Sequence, residues 1–379
     1  MTLEVVHVAA TGICTTYGGR AVAFRVVGSG AASDPEVARA VALSEASERA
    51  LAHSWDARRA RWASQDWLRR AGFRHVTPRE LSRQRTVLEG RRFAATDVPQ
   101  PWLRADSLTD GGPIRVPAAA VWLGTNVDPS ITTPVTGTSN GMAAAPDVDT
   151  ATIRAVLELC ERDAVLAWWW GGARASRLDL STASRRDLCA LVGARTEMQA
   201  VVVERVAGIP VVAMVARSGS SFALGCGAGT DLEAALTHAI REAAAGLVHR
   251  SAPPVAAVPT PESVVSLATR YSFYFPTGRI WDEFGSRLPA RTTGSDRHRD
   301  PGPHSPAVTP ETLGRLLRDA GHRAYRVVMS SSRERYAVRV ISDTLIPLNA
   351  NPGEQAIRAV GIPDLLELAD DRVHPHPVY

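Results

Sequence analysis

Short β-branched apolar runs at residues 3–8, 21–27, 200–206, 210–215, 325–329 and 336–341 predict strands. The alanine- and leucine-rich stretches between them repeat their apolar positions at helical spacing. Three of the predicted helices begin alike. Gly28-Ser29-Gly30 precedes Ser33-Asp34-Pro35-Glu36, a capping box that opens a helix to about residue 53. Ser139-Asn140-Gly141 precedes Asp149-Thr150, which opens a helix to about residue 168. Gly225-Cys226-Gly227-Ala228-Gly229 precedes Thr230-Asp231-Leu232-Glu233, a second capping box with helix to about residue 248. Each small-residue stretch reads as a turn feeding a capped helix. No strict period accompanies the recurrence, so a solenoid is excluded.

A proline-rich stretch lies at 251–261, and TTGSDRHRDPGPHSPAVTP within 288–310 has the composition of a surface loop. Strand-forming sequence resumes after it. The segment therefore reads as a flexible insertion within one domain spanning 1–379, which ends in a proline-containing tail at 372–379.

The 379 residues, 45% hydrophobic and 22% charged, suit a globular protein with ample core. All 43 basic residues are arginine, and against 39 acidic ones they leave a net charge of +4. The absence of lysine excludes the P-loop, the protein kinases and pyridoxal enzymes with their Schiff base. Any phosphate must be handled by arginine, backbone amides or carboxylate-held magnesium. Cys14, Cys160, Cys189 and Cys226 stand far apart and form no CxxC, which excludes a zinc ribbon and points to a reduced cytoplasmic setting. No apolar run approaches the roughly 20 residues of a membrane span.

Between residues 58 and 92, 11 arginines face only Asp66, Glu80 and Glu89. This reads as a solvated basic face, with docking of an acidic peptide or nucleic acid as the minor reading. The three capped helices carry acids: the pairs Glu45 and Glu48 in SEASER and Glu158 and Glu161 in LELCER, and the single Glu242 in HAIREA. Residues three apart on a helix project side by side, so each ExxE pair offers two carboxylates to a magnesium ion. Arg49 and Arg162 at spacing four also make ordinary surface ion pairs with Glu45 and Glu158. Val37, Val41, Glu45, Glu48 and Ala52 fall on one helical line, which predicts acids interrupting a buried apolar stripe. From composition and spacing alone the metal site and the solvated face both stay open.

The block GTSNGMAAAPDVDTATIRAVLELCERDAVLAWWW resembles the signature of the YcaO family: an SNG turn, a small-residue stretch, and a helix ending in ExxERD before tryptophans. ARAVALSEASER resembles the family's first carboxylate helix, AVAGIPVVAMVAR and GCGAGTDLEAALTHAIREA its central strands and third helix, and HPHPVY its tail. The resemblance implies a mixed α/β (α+β) fold with three carboxylate helices packed on mixed sheet, and ATP- and magnesium-dependent chemistry on peptide backbone amides. It implies that Glu45, Glu48, Glu158 and Glu161 hold magnesium and nucleotide and that Arg162 contacts phosphate. Glu242, Arg49, Ser139 and Asn140 would complete the pocket. Pro375, Pro377 and Tyr379 of the tail, with His238, His374 and His376, are then the candidate catalytic groups. Four positions depart from the family pattern. Ser29 replaces a lysine, Val41 a serine and His238 an arginine, and the tail lacks the full PxPxP ending.

The expected activity is cyclodehydration of cysteine, serine or threonine in a ribosomally made precursor peptide to thiazoline or oxazoline. Amidine or thioamide formation is the alternative chemistry, and a non-catalytic subunit binding peptide or partner is the alternative class. A separate leader-peptide-binding partner is expected, because about 30 residues before the first carboxylate helix are too few for such a domain. Neither nucleic acid nor membrane is an expected partner, and the oligomeric state stays open, with a homodimer among the options.

Overall fold

The computed structural model describes residues 4–15, 21–32, 34–53, 57–82, 97–122, 139–180, 195–249, 273–289, 308–331 and 335–346. A long hairpin of β1 (Glu4–Thr15) and β2 (Ala21–Ala32) leads into α1 (Pro35–His53). Next come β3 (Arg61–Ala63), α2 (Gln65–Arg70), α3 (Pro78–Ser82), β4 (Gln100–Ser107) and β5 (Pro113–Pro117). The centre holds β6 (Met142–Ala145), α4 (Val148–Trp169), β7 (Ala175–Arg177), β8 (Thr196–Val203), β9 (Val211–Ser218), β10 (Ser221–Ala228) and α5 (Leu232–His249). The last described elements are α6 (Arg279–Ser286), α7 (Pro310–Asp319), β11 (Ala324–Ser331) and β12 (Tyr336–Ser342). Among them no helix is long and apolar enough to cross a membrane.

The strands form three sheets: β1-β2, β10-β9-β8-β7, and β3-β4-β11-β12-β6 with β5 added to β4. Every described ladder is antiparallel, which corrects the expectation of mixed sheet. Tight connections such as the turn between β9 and β10 join neighbouring strands directly. Helices α1 and α5 follow hairpins, and α4 follows β6, which pairs antiparallel with β12.

The four-stranded sheet is buried on both faces. Val211, Ala213 and Val215 of β9 pack with Leu166, Trp168 and Trp169 of α4. Val212, Met214 and Ala216 pack with Ala235, Ala239 and Ala243 of α5. A strand covered on both sides has no polar alternation, which explains the continuous apolar run of β9. The tryptophans after the ExxERD motif belong to this core: Trp168 meets Phe284, and Trp169 meets Tyr274, both edge to face.

Two of the three expected turns are strands. Gly28, Ser29 and Gly30 pair with Val8, His7 and Val6 inside β2, and Gly225, Cys226 and Gly227 pair with Met214, Ala213 and Val212 inside β10. These glycines serve close packing. A Cβ on Gly28 would lie 2.1 Å from the carbonyl oxygen of Ala42, and one on Gly225 2.1 Å from that of Ala239. Gly30 meets Ala38 and Gly227 meets Ala235 in the same way. The Ser139-Asn140-Gly141 stretch is a turn as expected. Gly141 there has φ +75°, and a Cβ would strike the carbonyl of Val340, so both conformation and space require glycine.

This glycine–alanine contact selects the buried face of α1. Ala38, Ala42, Ala46 and Ala52 are buried, whereas Val37 and Val41 are 51% and 47% exposed, which overturns the expected apolar stripe. Aspartate caps all three carboxylate helices. Asp34 accepts from the Glu36 N–H, Asp147 from the Thr150 N–H and Asp231 from the Ala234 N–H. The 288–310 segment is described only at its ends, and the 251–261 stretch and the tail at 372–379 lie outside the described residues.

Candidate functional site

Three helices bring their acids to one place, and each fixes one glutamate in the same manner. The Glu45 carboxylate accepts from the Ser29 N–H at 2.5 Å, Glu158 from the Gly141 N–H at 3.1 Å, and Glu242 from the Cys226 N–H at 2.7 Å. In the first and third cases donor and acceptor are 16 residues apart in the chain. One oxygen of each carboxylate is thereby oriented by backbone, with little side-chain freedom left to lose on binding.

Arg49 reaches Glu45 at 2.5 Å and also donates to the carbonyl of Val27. Arg162, nearly buried, lies 3.8 Å from Glu158 and 3.6 Å from Glu161. His238 lies 3.7 Å from Glu161 with over half of its side chain exposed. Ser29 turns its hydroxyl to His7 across the hairpin at 3.0 Å. The guanidinium beside the Ser29 N–H and its carboxylate is that of Arg49. Asn140 is buried in the turn and Ser139 exposed.

The cluster is short of positive charge. Burial pushes the Glu48 carboxyl up to about 8, and the neighbouring Glu158 and Glu45 add to the rise. Burial raises Glu158 and Glu161 as well, with Glu242 adding to both and Arg162 opposing. For Arg162, burial alone would weaken its hold on its proton. The carboxylates of Glu161, Glu158 and Glu242 more than reverse this and raise it. Buried acids in excess of their arginines call for a further cation.

Oxygen-only donors suit a hard ion such as magnesium. Among the described residues no group of three or more His, Cys, Asp or Glu is arranged to hold a metal alone. Magnesium is commonly bound through one or two carboxylates with phosphate oxygens and water completing the shell, a share that one or two of these glutamates could supply.

Two residues of this region escape sequence reading. Arg339 on β12 is 1% exposed and acts on Glu158 as a second cation beside Arg162. An arginine in the middle of the apolar strand YAVRVIS was the available signal. Asp163, the last residue of ExxERD, turns away from the other acids. It accepts from Arg205 at 2.9 Å and from the Ile346 N–H at 2.9 Å, tying the segment after β12 to α4. The candidates Pro375, Pro377, Tyr379, His374 and His376 lie outside the described residues. Cys160 and Cys226 are buried free thiols.

The fold has counterparts in solved structures. A heterocyclase in complex with substrate and cofactor superposes with TM-score 0.68 at 21% identity, over 93% of this chain and 50% of that one. The chain thus spans about half the length of that heterocyclase. YcaO from Methanopyrus kandleri, bound with AMPPCP and Mg2+, superposes at 0.60 with 19% identity, over 90% and 85% of the two chains. A chain of the E. coli microcin synthetase McbBCD complex does so at 0.60 with 12% identity, over 89% and 88%. No curated protein matches significantly. The family model described as YcaO cyclodehydratase, ATP- and Mg2+-binding, matches residues 3–345. This chain belongs to the YcaO family of ATP- and Mg2+-binding cyclodehydratases.

Proposed function

We propose that the chain activates backbone amides of a ribosomally made precursor peptide and closes cysteine, serine or threonine residues into thiazoline or oxazoline. The observation that carries this reading is the convergence of Glu45, Glu48, Glu158, Glu161 and Glu242 from three helices around the buried Arg162. Glu45, Glu48, Glu158 and Glu161 would hold magnesium, whose charge offsets that gathering on the transferred phosphoryl group. Glu45, Glu158 and Glu242 stay aimed through their backbone N–H bonds, and Arg162 would contact the phosphates. Arg49 stands in for the family lysine at Ser29.

In the proposed reaction the peptide's thiol or hydroxyl adds to the preceding carbonyl carbon. The nucleophile's proton would be lost, the resulting oxygen would take the γ-phosphoryl group with release of ADP, and phosphate would leave with the C–O bonding pair as the nitrogen loses its proton to form the ring C=N bond. Oxygen departs poorly as hydroxide and well as phosphate, which is what ATP contributes. A separate protein presenting the leader part of the peptide would complete the system, as the McbBCD relative is itself a complex.

Calorimetry with ATP and magnesium is expected to show binding to the wild type and none to Glu161→Ala. Absence of binding to the wild type would leave the non-catalytic reading, which Ser29, Val41 and His238 favour by standing where the family has lysine, serine and arginine. Incubation with the peptide encoded beside this chain should give loss of water by mass spectrometry. Sulfur-for-oxygen exchange would redirect the product to thioamide, and water loss without involvement of a cysteine, serine or threonine side chain to amidine.

A further inference from the structure

The outer face of the six-stranded sheet carries a charge arrangement that folding does not explain. Arg104 on β4 sits directly opposite Arg115 on β5, and like charges in register oppose strand pairing. Arg61 on β3 lies diagonally beside them, opposite Trp102. Burial lowers the hold of Arg115 on its proton, and the guanidinium groups of Arg61 and Arg104 lower it further, which places the three within each other's field. Among the described residues none of the three has a carboxylate partner.

The nearby acids are committed elsewhere: Asp66 to Arg69 at 3.2 Å, Asp110 to Arg74 at 3.5 Å and Asp106 to Arg326 at 3.3 Å. Aromatic rings hold two of the three guanidinium groups in place. Arg61 lies 4.4 Å from the centroid of Trp67 and 5.3 Å from that of Phe73, and Arg115 lies 5.5 Å from Phe73. The basic face expected across 58–92 is mostly tied down where it is described, since Arg59 donates to the carbonyls of Val328 and Met329. The unpaired charge sits on the sheet instead.

We propose that Arg61, Arg104 and Arg115 form a docking site for an acidic, extended peptide segment, namely an aspartate- or glutamate-bearing stretch of the precursor peptide. The three arginines stand on adjacent strands about 5 Å apart, a span that alternate carboxylates of an extended chain can match. Asp106 and Asp110 bound the patch, so it is too short for the run of phosphate contacts that a nucleic acid requires. The source of the peptide rests on the proposed function; the docking chemistry does not.

The test is a fluorescence anisotropy titration of the full chain with a short labelled peptide alternating aspartate and serine. Wild type should bind it with an affinity that falls with salt. Arg104→Gln and Arg115→Gln together should weaken binding about tenfold, and a peptide with asparagine for aspartate should not bind. The two variants should also melt at higher temperature than wild type, because the like-charge pair is gone, an outcome that also shows they fold. Equal binding by variants and wild type, no binding at all, or tighter binding of a single-stranded DNA of equal charge would each overturn the proposal. Magnesium–ATP affinity measured on the same proteins reports separately on the proposed function. It should be unchanged in the variants, and its absence from the wild type would undo that function while the peptide titration still decides the docking site.

Discussion

The hairpin–helix unit of β1, β2 and α1 and that of β9, β10 and α5 are built to one plan and placed in different surroundings. Aligning Gly28 with Gly225 puts Glu45 on Glu242 and Ala38, Ala42 and Ala46 on Ala235, Ala239 and Ala243, with no gap. The same alignment puts Val41 on His238, Leu43 on Ile240 and Glu48 on Ala245. What the units share is the scaffold: two strand glycines under an alanine face, and a glutamate held by a strand N–H. Context is where they differ. The second hairpin continues into β8 and β7 and is buried on both faces, while the first forms a sheet of its own with alternate residues exposed. The chemistry differs too, since only the first unit adds the second, buried acid. A repeated scaffold thus fixes where carboxylates stand, and single substitutions on it decide which helix carries a second one.

The largest effect should come from filling the strand–helix contact. Gly225→Val is expected to cost about 3 kcal/mol or more, and Gly28→Val about 1–2 because the peripheral hairpin can shift. Urea denaturation measures both, and equal losses would remove the distinction of context. Ile240 is 6% exposed and Leu43 43%. Ile240→Ala should accordingly cost about 3 kcal/mol and Leu43→Ala under about 1 in the same assay.

Glu48→Gln should stabilise the free protein by about 1–2 kcal/mol at neutral pH, since the Glu48 carboxyl, raised to about 8, must take up a proton on folding and the amide need not, and should abolish magnesium–ATP binding in calorimetry. Glu242→Gln keeps an oxygen for the Cys226 N–H and should retain measurable binding; equal loss from both would show that the two acids are not functionally distinct. The smallest effect is expected at the exposed position 41, where Val41→Ser should move stability by no more than about 0.5 kcal/mol. A gain in ATP affinity there would show that the departure from the family's serine matters.

The three carboxylate helices and six of the twelve described strands were legible because each has a local signature: an aspartate near the start of a periodic apolar stretch, or a short β-branched run. Glu45, Glu48, Glu158 and Glu161 were legible as ExxE pairs, and Glu242 as a lone acid following Ala235 and Ala239. Gly28 and Gly225 were misread as turns because glycine's local meaning is a turn, whereas their role here is set by a helix that returns over them. For the same reason Val37 and Val41 looked buried: periodicity identifies a stripe, but the Gly–Ala contact chose the neighbouring one. Antiparallel pairing was not legible, because strand composition carries no direction. Arg339 and Asp163 act through elements far away in sequence, and neither forms a motif.

The N–H groups held by Glu45 and Glu242 belong to edge strands. The second edge of β2 is unpaired among the described residues, and β10 ends the four-stranded sheet. Glu45 occupies the Ser29 donor, Arg49 the Val27 acceptor, and Glu242 the Cys226 donor. Exposed strand edges template pairing with other chains, and charged side chains are a means of blunting them. Cys226 is buried, so of the two edges only the one at Ser29 is open to solvent. Replacing Glu45 with alanine should leave a protein that precipitates sooner, whatever becomes of its chemistry.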